Sequence, residues 1–454
     1  MKNTIIFTIW SIIIISLFFK TQAQNQSWSL EQCIEYGKQN NLKIKQEQYN
    51  IQLSELNLKG NKASQIPSLN GNASQNFNFG RTVDRFTNEF TTDMVMSNYF
   101  YLSSNIKLFD GFQTLNTIKR SKIEYEASVL NLKIIENDIS MKIALAYLQI
   151  LYNIELVQIL QQQHEITLKE IERTETRIKL GSTSNTELLN LEAQSATELY
   201  QIFKIKVDIE MSYLNLTQIL NIPSHKGFRI TIPSTSIEKN STLISIDFIL
   251  EYALKNHPEI KKSELQIESA KKSYSIAKGA YSPSLSLGAN SSTGFSKASM
   301  QMTNTDNNTI LEIIPFKEQI NRNFYYSIGI NMTIPIFNSM QTKYNIEKSK
   351  ITIYQANNLL QQNESNLIKL INQNYYDAQL ALEKYYSAQK QLNYLLSFFK
   401  VSEEKFALQK ISYLEYQDAK TKFQTAESEL LQAKFEYIFK KIILDFYIGK
   451  PIML

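Results

Sequence analysis

The chain has 454 residues, 43% of them apolar and 20% charged, with a formal net charge of +5 spread thinly along its length. No basic stretch with interleaved aromatics occurs, which argues against nucleic acid as a partner. A single cysteine, Cys33, excludes an internal disulfide, and His164, His225 and His257 stand in unrelated contexts without metal-ligand spacing. With no Gly-rich phosphate loop and no nucleophile elbow, neither an enzyme activity nor a cofactor or metal is expected.

The first residues read as an export signal. Lys2 supplies the positive start, Ile5 to Phe19 an apolar run, and Thr21-Gln22-Ala23 a small-residue cleavage site, giving a signal peptide over 1–23. About 15 apolar residues fall short of the roughly 20 that a spanning helix needs. Cys33 lies well beyond the cleavage point, so a lipid on it is not expected. No later stretch approaches that length, and the mature chain is expected to lack a membrane helix.

The mature chain is written twice, as repeats over 24–226 and 227–454. Glu35-Tyr36, Asn40, Ile44-Lys45, Lys62 and Pro67-Ser68-Leu69 recur 216 residues later as Glu251-Tyr252, Asn256, Ile260-Lys261, Lys278 and Pro283-Ser284-Leu285. From Leu108-Phe109-Asp110 onward the offset is 228, with Ile336-Phe337-Asn338 as the match and Pro451 answering Pro223. The second copy therefore carries twelve extra residues between its two anchored blocks.

After an N-terminal helix in each copy, the periodicity changes from 3.6 to 2. Asn70, Asn72, Ser74, Asn76 and Asn78 share one face opposite Ala73 and Phe77, and Tyr326, Ile328, Ile330, Met332 and Ile334 alternate with Ser327, Gly329 and Asn331. Strands are expected over about 68–79 and 99–109, and over 284–295 and 324–337. The alternation fits either a half-buried soluble sheet or a transmembrane barrel with lipid outside and water inside. Aromatics at the strand ends (Phe77, Phe79, Tyr99, Phe324, Tyr325) favour the membrane reading. The intervening pieces, about 80–98 and 296–323, are polar and turn-rich.

Long runs without Gly or Pro follow: Gly111 to Gly181, Gly181 to Pro223, and Pro335 to Gly449. They predict helices over about 112–179 and 185–220, and over 339–407 and 412–448. The longer ones span roughly 100 Å at 1.5 Å per residue. Gly181 suits the turn between the first pair, and Ser184 with Glu187 reads as a capping box. Ser412 and Glu415 repeat that box in the second pair.

Four strands cannot close a barrel, and open edges cannot face lipid. Transmembrane strands would therefore be shared among copies: two chains give eight strands, three give twelve and a passage.

The order helix, strand, loop, strand, long helix, turn, helix, written twice, resembles the TolC-like outer-membrane efflux proteins. So do the strand-to-helix signature Pro335-Ile336-Phe337-Asn338, the start pattern Ala253-Leu254-Lys255-Asn256-His257-Pro258-Glu259-Ile260, and the tip motif Leu180-Gly181-x-x-Ser184-x-x-Glu187. The resemblance covers nearly all of the mature chain. It implies a mostly α fold with a small β part, assembled as a homotrimer with a 12-strand barrel in the outer membrane and a periplasmic helical tube. It further implies a passive duct for tripartite efflux or type I secretion, with a periplasmic adaptor and an inner-membrane pump as partners. Two acidic residues three apart that ring the family's periplasmic entrance fall on Glu415 and Asp418. In the first copy Glu187 matches but Asn190 replaces the second acid. Where some members carry a basic tip residue, Ile411 stands. Gly181, Ser182, Thr183, Ser184, Gln409, Lys410, Ile411 and Ser412 are the expected adaptor-docking tips. The alternative is a soluble periplasmic coiled-coil adaptor or interaction protein, although adaptors insert one hairpin into Gly-rich β domains and this chain has two.

Overall fold

A computed structural model describes residues 27–233, 237, 243–305 and 308–454, so the expected signal peptide lies outside the described residues. In chain order the elements are α1 (Leu30–Asn40), α2 (Leu42–Ala63), β1 (Ser68–Asn78), β2 (Thr82–Val83), β3 (Phe90–Thr91), β4 (Val95–Phe109), α3 (Gln113–Lys179) and α4 (Asn185–Leu220). There follow α5 (Ile246–Asn256), α6 (Pro258–Gly279), β5 (Ser284–Ser296), β6 (Met300–Thr305), β7 (Asn308–Ile313), α7 (Phe316–Arg322), β8 (Tyr325–Thr333), α8 (Gln341–Ala407) and α9 (Tyr413–Tyr447). The chain forms two compact units: one of residues up to Tyr49, Leu130–Lys261 and Gln362–Leu454, the other of Asn50–Val129 and Lys262–Gln361.

The first unit is helical. Its core joins Leu30, Ile34 and Ile44 to Ile143, Tyr147, Ile150 and Leu151 of α3, Leu216 and Leu220 of α4, and Leu431 and Phe435 of α9. The three- and four-residue spacing in α3 turns one stripe inward, and burial of such side chains contributes about 1.5–3 kcal/mol each. A stretch of α3 is apolar enough to span a bilayer by composition, yet half of it is buried inside the protein. Trp28 and Ile230 form an isolated parallel bridge, and Tyr147 donates its hydroxyl to the Thr231 carbonyl at 2.5 Å.

The N-terminal helix of each copy is broken in two. Asn41 accepts bonds from the Lys43 and Ile44 amides (2.9 and 3.4 Å), capping α2 with its side chain. In the second copy His257 precedes Pro258, and a residue before proline is pushed out of the helical region.

The second unit carries a four-stranded antiparallel sheet in the order β1-β4-β5-β8, which leaves β1 and β8 as its edges. Ser68 pairs with Asn105, Ile106 with Leu287 and Leu287 with Ile330. The register gathers Leu69, Ala73 and Phe77 with Phe100, Leu102, Ile106, Leu287, Ile328, Ile330 and Met332 on one face. Asn and Ser residues occupy the other. On the polar face Tyr101 donates to Asn290 at 2.7 Å, and Asn290 donates to Ser327 at 3.4 Å. Lys107 is the one charged residue in the four strands.

The two inter-strand pieces expected as polar turns are more ordered than that. They contain hairpins β2–β3 and β6–β7 and helix α7, pinned over the strand ends by a buried polar cluster. Ser296 donates to Asp84 at 2.6 Å, and Gln319 exchanges bonds with the Ser296 backbone at 2.9 and 3.0 Å. At the opposite ends of the strands Gly111 (φ 66) meets Gly279 so closely that a Cβ on Gly111 would lie 2.3 Å from the Gly279 carbonyl oxygen.

Candidate functional site at the hairpin tips

Two helical hairpins, α3–α4 and α8–α9, end in turns built alike. Gly181 (φ 71) reverses the first, with Ser182 N–H donating to the Arg177 carbonyl at 2.9 Å. Gln409 (φ 55) takes the same left-handed conformation in the second, and Lys410 N–H donates to the Lys405 carbonyl at 2.9 Å. Both satisfy orphan helix carbonyls, but a non-glycine residue there costs roughly 1–2 kcal/mol.

The two Ser-x-x-Glu sequences behave differently. Ser412 and Glu415 form the full capping box, with Glu415 accepting from the Ser412 amide and hydroxyl at 2.8 and 2.9 Å. Those bonds hold the exposed Glu415 carboxyl below the usual carboxylate range. The box expected at Ser184 does not form, because Ser184 makes no side-chain cap. Glu187 instead accepts from Thr183 at 2.5 Å and pairs with Arg177 at 3.4 Å, so neighbours in the turn have captured its carboxylate.

The three sequence-identified acids thus fall into two environments. Glu187 is largely covered and balanced by Arg177. Glu415 and Asp418 are exposed on the first turns of α9, Asp418 paired with Lys422 at 2.6 Å across one helical turn. Exposed i,i+4 pairs contribute only about 0.3–0.5 kcal/mol, so Lys422 does not bury or fix the Asp418 charge. Between the tips lies a cavity of about 140 Å³ lined by Arg173, Arg177, Glu187, Phe406, Tyr413 and Tyr416, among others. The Arg177 guanidinium lies 5.4 Å from the Phe406 ring centroid, a cation–π contact, and Phe406 stacks on Tyr416 at 4.7 Å. Burial, with the Glu170 and Glu187 charges, pushes the Tyr413 phenol up to about 12.

Behind the tips runs a buried polar chain that the sequence reading missed. Lys420, 1% exposed, donates to Glu170 at 2.6 Å and to Thr167 at 3.0 Å. Tyr416 donates to the other Glu170 oxygen. Thr167 donates to Glu198 at 2.9 Å, and His164 contacts the second Glu198 oxygen at 3.1 Å. The network ties α3 to both α4 and α9. Burial, then the Glu170 charge, keeps the Tyr416 phenol protonated far above its ordinary range. One signal was available: Tyr416, Ala419, Phe423 and Ala426 mark the inward stripe of α9, and Lys420 falls in that phase.

A sequence profile described as "Outer membrane efflux protein" matches residues 34–221 and 249–450, taking in both copies and most of the chain. The chain belongs to the outer membrane efflux protein family. Among curated relatives it is similar to the outer membrane efflux protein BepC of Brucella suis biovar 1 (strain 1330), with 22% identity over 318 residues. That match takes in 70% of this chain and 62% of the relative. Outer membrane protein TolC of Salmonella enteritidis is 17% identical over 306 residues, which take in 67% of this chain and 59% of the relative. The chain thus spans roughly three fifths of the length of the curated relatives it matches. Among solved structures, CusC superposes with a TM-score of 0.77 at 17% identity over 95% of each chain, which shows a shared fold. This protein is TolC-like and belongs to the outer membrane.

Proposed function

We propose that three copies of this chain form a passive duct, each contributing four strands to a 12-strand transmembrane barrel and two hairpins to a helical tube in the periplasm. The observation that carries the reading is the sheet itself. It has two unpaired edges, an apolar face exposed at Leu69, Leu102, Ile328, Ile330 and Met332, and a polar face of Asn, Ser and Tyr. Lipid cannot satisfy strand edges, whereas a closed ring of copies satisfies all of them and puts the apolar face outward. The repeats over 24–226 and 227–454 then act as equivalent sectors of one ring.

In this duct Glu415 and Asp418 ring the periplasmic entrance, where three-fold repetition concentrates carboxylates that favour cations and repel anions. Glu187, balanced by Arg177, shapes the tip rather than adding free charge. The turns Gly181–Ser184 and Gln409–Ser412 are the docking points of a periplasmic adaptor, which couples the duct to an inner-membrane pump for tripartite efflux or type I secretion. Reconstitution of the purified protein in planar bilayers tests the proposal. Discrete conducting steps from a heat-modifiable oligomer are expected. A protein that fractionates as a soluble single chain and conducts nothing would contradict it, and would favour the coiled-coil adaptor reading.

A further inference from the structure

The duplication allows a measurement within one chain to be carried over to a contact between chains. The offsets seen in the sequence hold in the structure: α1 (Leu30–Asn40) maps onto α5 (Ile246–Asn256) at 216, and α3 (Gln113–Lys179) onto α8 (Gln341–Ala407) at 228. They also reproduce strand register. The pair Ser68–Asn105 of the first hairpin maps onto Ser284–Thr333, which is a pair in the second.

The joint between the two copies, β4 against β5, is fixed by Ser104–Ala289, Ile106–Leu287 and Lys107–Ser286. Moving β4 forward by 228 and β5 back by 216 gives β8 against β1. We infer that the free edge of β8 pairs antiparallel with the free edge of β1 of a second copy in one register, with Met332 opposite Ala73, Asn331 opposite Ser74 and Ile334 opposite Gly71. The inference rests on the ring proposed above and specifies its seam.

Two further observations support it. The register sets Ile328, Ile330 and Met332 beside Phe77, Gln75 and Ala73, and Ser327 and Asn331 beside Asn78 and Ser74, so the faces agree across the seam. A slip of one residue would reverse every side chain of one strand. Moreover, β4 runs on past Asn105, the last residue it pairs with β1, and Ile106 to Phe109 lie along β5. The counterpart β8 stops at Thr333, leaving Ile334, Ile336 and Phe337 exposed by 57%, 94% and 75%. Their copy-one equivalents have a strand beside them, and among the described residues of one chain these do not. The seam supplies it, since Phe109–Leu285 maps onto Phe337–Leu69. The bulge between Lys107 and Phe109 maps onto Ile336. Pro335 then sits next to a bulge, where a missing N–H is tolerated. On assembly β8 lengthens to Phe337.

Cysteine pairing in the full chain tests the register. Facing residues in an antiparallel pair have Cα atoms about 4.5–5.5 Å apart, within disulfide range, whereas a two-residue slip separates them beyond it. Cys33, at 0% exposure, does not compete. Asn331→Cys with Ser74→Cys, oxidised in isolated outer membranes, is expected to give covalent oligomers. Asn331→Cys with Asn72→Cys or Asn76→Cys is expected to give at least about tenfold less. Ile330→Cys with Gln75→Cys repeats the test on the other face, in the alternate hydrogen-bonding geometry. Linkage favouring Asn72 or Asn76, or no linkage by either matched pair while amine cross-linking still yields trimers, overturns the register and leaves the ring standing. Single copies only, by amine cross-linking of the wild type, overturn the ring and the seam together.

Discussion

The buried Lys420–Glu170 pair offers the sharpest energetic test of how the tips are held. Lys420 is 1% exposed and donates at 2.6 Å to a carboxylate that also accepts from Tyr416. Lys420→Met keeps the apolar stem but leaves Glu170 buried without its cation. Breaking a buried pair in this way costs about 3–5 kcal/mol, whereas replacing both charges is often neutral or stabilising. Local opening of the α9 start should therefore become about a hundredfold or more easier in Lys420→Met. The double variant Lys420→Met/Glu170→Gln should recover most of that loss. Hydrogen exchange by mass spectrometry, on peptides covering Tyr416 to Phe423, reads the effect. Equal exchange in the single and double variants would refute the view that the uncompensated charge, rather than lost packing, sets the cost.

Other perturbations give graded outcomes. Glu415→Gln with Asp418→Asn should weaken cation preference in bilayer recordings while Gln preserves the capping geometry; an unchanged reversal potential would sink the entrance assignment. Because the Glu415 carboxyl is held low, the stability its box adds is complete at neutral pH and is lost as pH falls through that lowered value. Exchange at the first amides of α9 should follow that profile, and Glu415→Gln should flatten it. Lys107→Glu should shift selectivity further toward cations, since no other charge lies on the four strands of the β1-β4-β5-β8 sheet. Gly111→Ala should cost more than about 2 kcal/mol, combining a left-handed backbone with a clash against the Gly279 carbonyl. Gly181→Ala, equally left-handed but in open space, should cost only about 1–2 kcal/mol; thermal melts rank the two. Burial, then the Glu31 charge, pushes the Cys33 thiol up to about 12, so it should resist thiol reagents until denaturant is added.

What could be read from the sequence follows from whether the controlling interaction is local. The 67-residue helix Gln113–Lys179 is visible because nothing between Gly111 and Gly181 breaks a helix. The sheet is visible because its alternation has a period of two. The break at Asn41 was not read, since it depends on a side chain turned back onto the next helix. Ser184 and Ser412 carry the same motif, yet only Ser412 caps, because Thr183 and Arg177 compete for Glu187 in the first turn. Glu170 and Lys420 stand 250 residues apart, and Asp84 and Ser296 stand 212 apart. Only the fold brings such pairs together, and those pairs hold the hairpin tips and the loops over the strand ends.

In the proposed duct one chain supplies a third of a closed barrel. The mass of the full chain extracted from outer membranes in mild detergent, corrected for bound detergent, tests it most directly. The proposed duct requires a particle of three copies. A stable single copy under the same conditions, with both sheet edges unpaired, would contradict it.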